Sequence, residues 1–240
     1  MDSLAVMGLL VVAVFLSAFV QTLSGFGFSI VVMPIAVLLL GIQAAAPLVA
    51  MLAATLNAVN VVRYRVHVSW REVALLAATA SLGVPIGVNG LSRLPAEVMK
   101  TGLGIILILY ALYILWRPTG VRLSSMRWAA LAGFLSGCFG GAYNTSGPPV
   151  IVYGTMRGWS RDRFRSVLQA FFLIVAGQVV LSHFFAHHIT LDVQRSYVFL
   201  APVALGGIFV GSRVDTSIPQ ERFRQLVNVL ILLLGLALIF

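Results

Sequence analysis

The feature that most constrains this chain is a series of long apolar runs that contain almost no charge. A helix needs about 20 apolar residues to cross the hydrocarbon core of a bilayer. Eight runs approach or reach that length, at residues 4–22, 45–62, 73–92, 98–116, 127–143, 164–186, 194–212 and 224–240. Two shorter apolar stretches, 27–40 and 148–156, each follow a longer run and a break rich in small residues. We therefore predict an all-α polytopic membrane protein with about eight transmembrane helices and two short, broken or re-entrant helices.

Composition indicates a membrane environment along the whole chain. Apolar residues make up 60% of the 240 residues and charged residues 10%, whereas soluble domains carry about 25% charged residues. A net charge of +9 also occurs in nucleic-acid-binding proteins, but here the arginines lie in short loops, as in loops that face anionic lipid. The first run has no basic segment before it and is interpreted as a membrane span, not a cleaved signal. The single cysteine, Cys138, excludes an intramolecular disulfide, and no cofactor is predicted.

Short motifs recur in the same order in two halves, which we place at residues 1–116 and 127–240 with a cytoplasmic linker at 117–126. Both halves pair a broken hairpin with three full spans. The recurring residues are Leu23-Ser24-Gly25 with Leu135-Ser136-Gly137, and Gly87, Pro95 and Glu97 with Gly211, Pro219 and Glu221. The pattern predicts an internal duplication.

Arginine placement predicts how the halves are oriented. Loops 63–71, 117–127 and 157–165 are rich in arginine, and the positive-inside rule places them in the cytoplasm. Loop 187–195 is the equivalent of loop 63–71 in the second half. Three spans separate it from the cytoplasmic linker, so we expect it on the outer side of the membrane. Equivalent loops on opposite sides predict an inverted repeat in the cell inner membrane, with both termini periplasmic.

The two breaks are the predicted binding site. Interrupted helices in inverted repeats often mark a transporter's substrate site, because a helix N-terminus offers unpaired N–H groups and a partial positive charge. An anion can accept from these groups, and glycine lets it approach the backbone. We expect the second break to run from Gly137 to Pro149, and helices to begin near Phe26–Phe28 and near Pro148. The predicted substrate-binding residues are Ser24, Gly25, Phe26, Gly27, Ser29, Gly140, Gly141, Asn144, Thr145, Ser146, Gly147 and Pro148.

Other polar residues extend this hypothesis. Asn57 and Asn60 share one helix face and either bind the ligand or bridge helices. Gln169 lies near the start of its span and is a further candidate. Arg157 and Arg165 flank the predicted cytoplasmic mouth, where they either guide or gate the anion or are ordinary positive-inside residues. Glycines such as those at 133 and 137 also permit close helix packing.

Several short segments together form a recognisable pattern, namely Leu23–Gly27 leading to Pro34, Gly133–Gly137 leading to Gly140-Gly141, Asn144–Tyr153, Arg157-Gly158 and Phe164-Arg165. In these segments the sequence resembles the sulfite exporter TauE/SafE family of membrane permeases. The resemblance implies transport of a small sulfur oxyanion or organosulfonate, such as sulfite. The expected partners are then this anion and the lipid bilayer, with no nucleic acid and with a homodimer left open.

Three alternatives remain at this point. An anion channel or a passive helper subunit would share the same composition. An intramembrane enzyme would use Ser136, Ser146 or Cys138 as its nucleophile, but such a residue needs a nearby base, and the apolar spans offer none. A metal pair at His183 and His187, one turn apart and near His188, is conceivable, although no metal site is predicted.

Overall fold

The computed structural model describes residues 3–64, 68–116, 123, 125–214 and 220–240, and in this part of the chain the regular secondary structure is all helical, without strands. The all-α prediction is thereby confirmed. Every predicted run and both short stretches form helices, while most of the predicted linker 117–126 lies outside the described residues. The helices are α1 (Ser3–Ser24), α2 (Phe28–Leu40), α3 (Ile42–Tyr64), α4 (Trp70–Arg93), α5 (Ala96–Trp116), α6 (Arg127–Tyr143), α7 (Gly147–Met156), α8 (Arg161–Phe185), α9 (Leu191–Val214) and α10 (Gln220–Ile239).

Six of these helices are long and apolar enough to cross a membrane, namely α1, α3, α4, α5, α8 and α9. The chain is therefore a multi-pass membrane protein. Helix α6 has 17 residues, and the apolar part of α10 is limited to Val227–Ile239. At a rise of 1.5 Å per residue, α2 and α7 extend only about 20 Å and 15 Å, well short of the roughly 30 Å hydrocarbon core.

Helices α4 and α6 approach each other along a line of glycines. On α4, Gly83 lies against the carbonyl of Phe134 and Gly87 against that of Cys138. A Cβ atom at either position would overlap the backbone of α6. Gly137 on α6 lies in the same way against Ala80. Because apolar side chains gain little from leaving lipid for protein, such close backbone packing is a main source of helix association in membranes.

Helices α9 and α1 repeat this packing with different residues. Gly207 lies against the carbonyl of Phe15, and Gly211 packs against Thr22 and the carbonyl of Phe19. The contacted residues have a constant spacing. Phe134 on α6 follows Phe15 on α1 by 119 residues, and Cys138 on α6 follows Phe19 on α1 by the same number. Helix pairs α3–α8 and α5–α10 also join one half of the chain to the other.

The second break is shorter than predicted, and the register of one recurring motif is wrong. Ser136 and Gly137 lie inside α6, two turns before its end, whereas Ser24 is the last residue of α1 and Gly25 follows it. Helix α6 continues to Tyr143 because its glycines pack on α4 and need no break. The interruptions that correspond in the structure are residues 25–27 and 144–146.

Candidate functional site

Both interruptions begin with the same backbone geometry. Gly25 has φ 83° and Asn144 has φ 54°, both in the left-handed region. The Gly25 N–H donates to the Gln21 carbonyl and the Asn144 N–H to the Gly140 carbonyl, each at 2.8 Å. Glycine and asparagine tolerate this conformation better than other residues, and each thereby ends its helix.

Each interruption is also fastened to a helix of the other half. Gln169 on α8 donates from Nε2 to the Gly25 carbonyl at 2.6 Å. Asn144 donates from Nδ2 to the Ala46 carbonyl on α3, also at 2.6 Å. Carbonyl groups freed by a break need such partners in a bilayer, where water cannot supply them. Two polar side chains thus hold the breaks in place.

One cavity of about 40 Å³ lies between the two interruptions. A buried water needs roughly 10–15 Å³ on this measure, so the space suits a ligand of a few atoms. The polar part of its wall consists of Gln21, Ser29, Asn57, Asn144, Thr145 and Ser146. The opposite wall is apolar and includes Phe172, Val175, Ala176 and Val179 of α8.

Most of the predicted substrate-binding residues line this cavity. They are Phe26, Gly27, Ser29, Asn57, Gly140, Asn144, Thr145, Ser146 and Gly147.

The remaining predicted residues lie behind the lining. Gly141 packs against Val84 of α4, and Pro148 is buried in the first turn of α7. Asn60 is 1% exposed, and within the described part of the chain neither polar atom of its side chain has a hydrogen-bond partner. Gln169 fastens Gly25 from behind. The side chain of Ser24 lies outside the described part of the structure.

The start of α2 offers fewer backbone donors than a bare helix end. The Phe28 N–H donates to Gln21 Oε1 at 3.2 Å, and Gln21 Nε2 donates to Asn57 Oδ1 at 2.8 Å. The first backbone N–H of α2 that donates in the regular i to i−4 pattern is that of Val31, which donates to the Gly27 carbonyl. Ser29 and Ile30 therefore carry the backbone N–H groups left for a ligand.

The start of α7 differs because proline replaces two of its donors. Pro148 and Pro149 have no N–H group, so Gly147 supplies the backbone donor of the first turn. Ser146 lines the cavity and is 9% exposed, and its hydroxyl has no partner among the described residues. The α7 end therefore contributes its dipole, one N–H group and a hydroxyl.

The two predicted guiding arginines make defined contacts outside the cavity. Arg165 packs against Gly25, and its Nη2 donates to the Leu23 carbonyl at 3.0 Å. Arg157 caps the C-terminal end of α7, donates from Nη1 to the Leu123 carbonyl at 3.0 Å and lies 3.7 Å from Glu72. Both residues therefore support the ends of the broken segments.

The structure adds residues that the sequence reasoning passed over. Gln21, Phe28 and Phe172 line the cavity. Gln21 was visible as an amide within an apolar run, seven residues before the helix start that it caps. Glu72 is 3% exposed and lies 2.9 Å from Arg163, a contact between helices that spacing in the sequence does not reveal.

The histidines form a pair at the end of α8. Nδ1 of His183 and Nδ1 of His188 are 2.9 Å apart, and His188 Nε2 lies 3.0 Å from Ser92 Oγ. His188 follows the helix, and burial lowers the pKa of its imidazole below the ordinary value. Within the described residues, no three histidine, cysteine or acidic side chains come together as metal ligands would.

Comparison with known proteins identifies the family. No curated protein and no solved structure matches the chain. Residues 10–238 match the family described as sulfite exporter TauE/SafE. The match includes both interruptions and all of the cavity lining, and it confirms the resemblance noted in the sequence. The chain belongs to the sulfite exporter TauE/SafE family.

Proposed function

We propose that this protein is a secondary transporter that carries a small sulfur-containing anion, such as sulfite or an organosulfonate, across the bacterial inner membrane. The observation that carries the proposal is the cavity between the two helix interruptions. The helices α2 and α7 begin at this cavity, and the partial positive charge of their N-termini favours an anion. Ser146 and the backbone N–H groups of Ser29, Ile30 and Gly147 are available as donors to it.

We further propose that the halves form an inverted repeat, so that the cavity lies between two related units and can open to either side. The matching glycine contacts of α4–α6 and α9–α1 support this arrangement. Both breaks are also held from the opposite half, by Gln169 and by the contact of Asn144 with Ala46. Transporters built this way alternate access by moving one unit against the other.

The topology has a direct test. In a Cys138→Ala background, Ser69→Cys reports the loop before α4 and Thr190→Cys the loop before α9. Labelling intact cells with a membrane-impermeant thiol reagent should modify the α9 position alone. Modification of both positions, or of the α4 position alone, contradicts the predicted orientation.

An enzymatic role has less support than transport. A serine or cysteine nucleophile needs a base within hydrogen-bond reach, and the described residues that line the cavity include no histidine or acidic side chain. Ser136 and Cys138 lie on α6 outside the lining. The family consists of membrane transporters.

Flux through proteoliposomes tests the function. We expect purified protein to accelerate uptake of labelled sulfite, and internal unlabelled sulfite to drive counterflow. Counterflow distinguishes a carrier from a channel, which allows only net flow down the gradient. Absence of flux for sulfite, thiosulfate and organosulfonates contradicts the proposal.

A glycine pair links the flux to the cavity. A Cβ on Gly147 would lie 3.3 Å from Ile151 Cδ1 and 3.6 Å from Phe172 Cζ, so Gly147→Ala fills cavity space without overlapping the backbone. Gly177 on α8 has open space beside it and is the matched control. We expect Gly147→Ala to reduce sulfite flux and Gly177→Ala to leave it unchanged. Equal flux in both variants would remove this cavity from the transport path.

A further inference from the structure

The charge of the cavity wall restricts which anions it can hold. Of the described residues that line the cavity, none has an ionisable side chain. The polar groups there are amides, hydroxyls and backbone N–H groups. Any negative charge in the ligand must therefore be balanced by dipoles alone, without a lysine or arginine in contact.

Two donors at the cavity wall have no partner among the described residues. Asn57 is 5% exposed, and its Oδ1 already accepts from Gln21. No described residue accepts from Asn57 Nδ2. Ser146 is 9% exposed, and its hydroxyl likewise has no partner among the described residues. Buried donors of this kind are satisfied when a ligand supplies acceptor oxygens.

The available positive charge amounts to about one elementary unit. Each helix N-terminus carries roughly half a positive charge, and two such ends, those of α2 and α7, meet the cavity. The cost of removing an ion from water rises with the square of its charge, so a dianion costs about four times as much as a monoanion. The wall offers balance for the first negative charge only.

Arg165 brings a full positive charge close to the break, but it supplies no donor to the cavity. Its side chain packs behind the break against Gly25, and its Nη2 donates to the Leu23 carbonyl. It is not part of the cavity lining. Its charge therefore favours any anion through space, while the second charge of a dianion would still lack hydrogen-bond donors in the cavity wall.

We propose that the cavity selects singly charged oxyanions, such as hydrogensulfite or a small monosulfonate, over dianions such as sulfite in its doubly charged form, sulfate or a carboxylated sulfonate. This inference rests on the proposed function and narrows it to one charge state. The ligand places its oxygens on Asn57, Ser146 and the helix ends. Its remaining surface faces the apolar wall of α8.

Competition between two ions of similar shape tests the proposed preference for singly charged anions, which we call the charge rule. Methanesulfonate and sulfate are both tetrahedral at sulfur, but carry one and two negative charges. We expect methanesulfonate to inhibit the uptake of labelled sulfite into proteoliposomes at a concentration at least about tenfold lower than sulfate, a difference of about 1.4 kcal/mol. Sulfate that inhibits as strongly as methanesulfonate overturns the inference.

The ionisation of the substrate gives a second, independent measurement. Hydrogensulfite and doubly charged sulfite coexist near neutral pH. At equal pH on both sides and fixed total sulfite, flux should fall in proportion to the hydrogensulfite fraction as the solution becomes more alkaline. Flux of methanesulfonate, whose charge stays constant, corrects for titration of the protein itself. Sulfite flux that stays constant or rises overturns the inference.

The two proposals fail in different ways. If no sulfur anion is transported at all, the proposed function fails. If sulfite is transported and dianions compete or move equally well, the function stands and the charge rule fails.

Discussion

Replacing Glu72 by glutamine removes the negative charge from a buried ionic cluster at one end of the short helix α7. Glu72 lies in the first turn of α4, Arg157 caps α7 and Arg163 lies in the first turn of α8. The nearest nitrogen–oxygen distances from Glu72 are 2.9 Å to Arg163 and 3.7 Å to Arg157. The carboxylate therefore ties three helices together.

The solvent exposure of the three side chains determines how much stability Glu72→Gln should cost. The side chain of Glu72 is 4% exposed, that of Arg157 23% and that of Arg163 44%. Breaking a fully buried pair costs about 3–5 kcal/mol, and exposed pairs contribute about 0–1 kcal/mol. Because water still reaches the arginines, we expect Glu72→Gln to cost about 2 kcal/mol. For a chain of this size that lowers the Tm by about 4–8 °C.

Thermal unfolding of the purified protein in detergent measures this effect. Glu97→Gln is the matched control, because Glu97 makes a surface pair with Lys100 at 3.9 Å and its side chain is 84% exposed. We expect the control to shift the Tm by no more than about 4 °C, the upper limit for an exposed pair worth about 0–1 kcal/mol. The double variant with Arg163→Gln should cost less than the sum of the two single variants. A Tm loss for Glu72→Gln no larger than that of the control refutes the reasoning.

Three further predictions concern the break, the glycine packing and the histidine pair. Asn144→Gly keeps the left-handed conformation but loses the bond to Ala46, and we expect a cost of about 1 kcal/mol, against about 2–3 kcal/mol for Asn144→Ala, which adds backbone strain. The ranking of the two Tm values checks this. Gly137→Leu should prevent α4 and α6 from packing and abolish folded protein on size-exclusion chromatography, whereas Gly177→Leu should not. Burial lowers the pKa of His188 below its ordinary value of 6.5. The unfolded chain then binds the proton more tightly, so the Tm should fall as the pH drops through that value, and less so in His188→Gln. A pH profile identical in both proteins contradicts this.

Periodicity and small residues were enough to predict the helices and the two interruptions. The apolar runs give every helix to within a few residues, because in a bilayer any long apolar segment must satisfy its own backbone. The first break was recognisable from its glycines, whereas the sequence reasoning began the second break at Gly137 and took Asn144 only as an amide donor, not as the left-handed residue that ends α6. Cavity residues adjacent to the breaks followed from this local chemistry.

Contacts between distant segments could not be predicted from spacing. Glycines at 137 and 141 have the same local signature as those at the breaks, and only the position of α4 decides that they pack helices. The same holds for Gln169, which could be identified as polar in a span but not as the partner of Gly25. Glu72 was visible as a charge at the edge of a run, and its burial depends on arginines about ninety residues away.

The ionic cluster at α7 also makes the two halves unequal. The glycine contacts relate α6 to α1 by 119 residues and α4 to α9 by 124 residues. With the first offset Arg157 and Arg163 correspond to Leu38 and Ala44, and with the second Glu72 corresponds to Ser196. The far end of α2 therefore has no charged counterpart and ends at Gly41 with φ 75°. Under the proposed inverted repeat, ion pairs therefore brace the end of only one of the two short helices. Because the two arginines are 23% and 44% exposed, salt screens these ion pairs in part, and we expect added salt to narrow the Tm difference between the protein and Glu72→Gln.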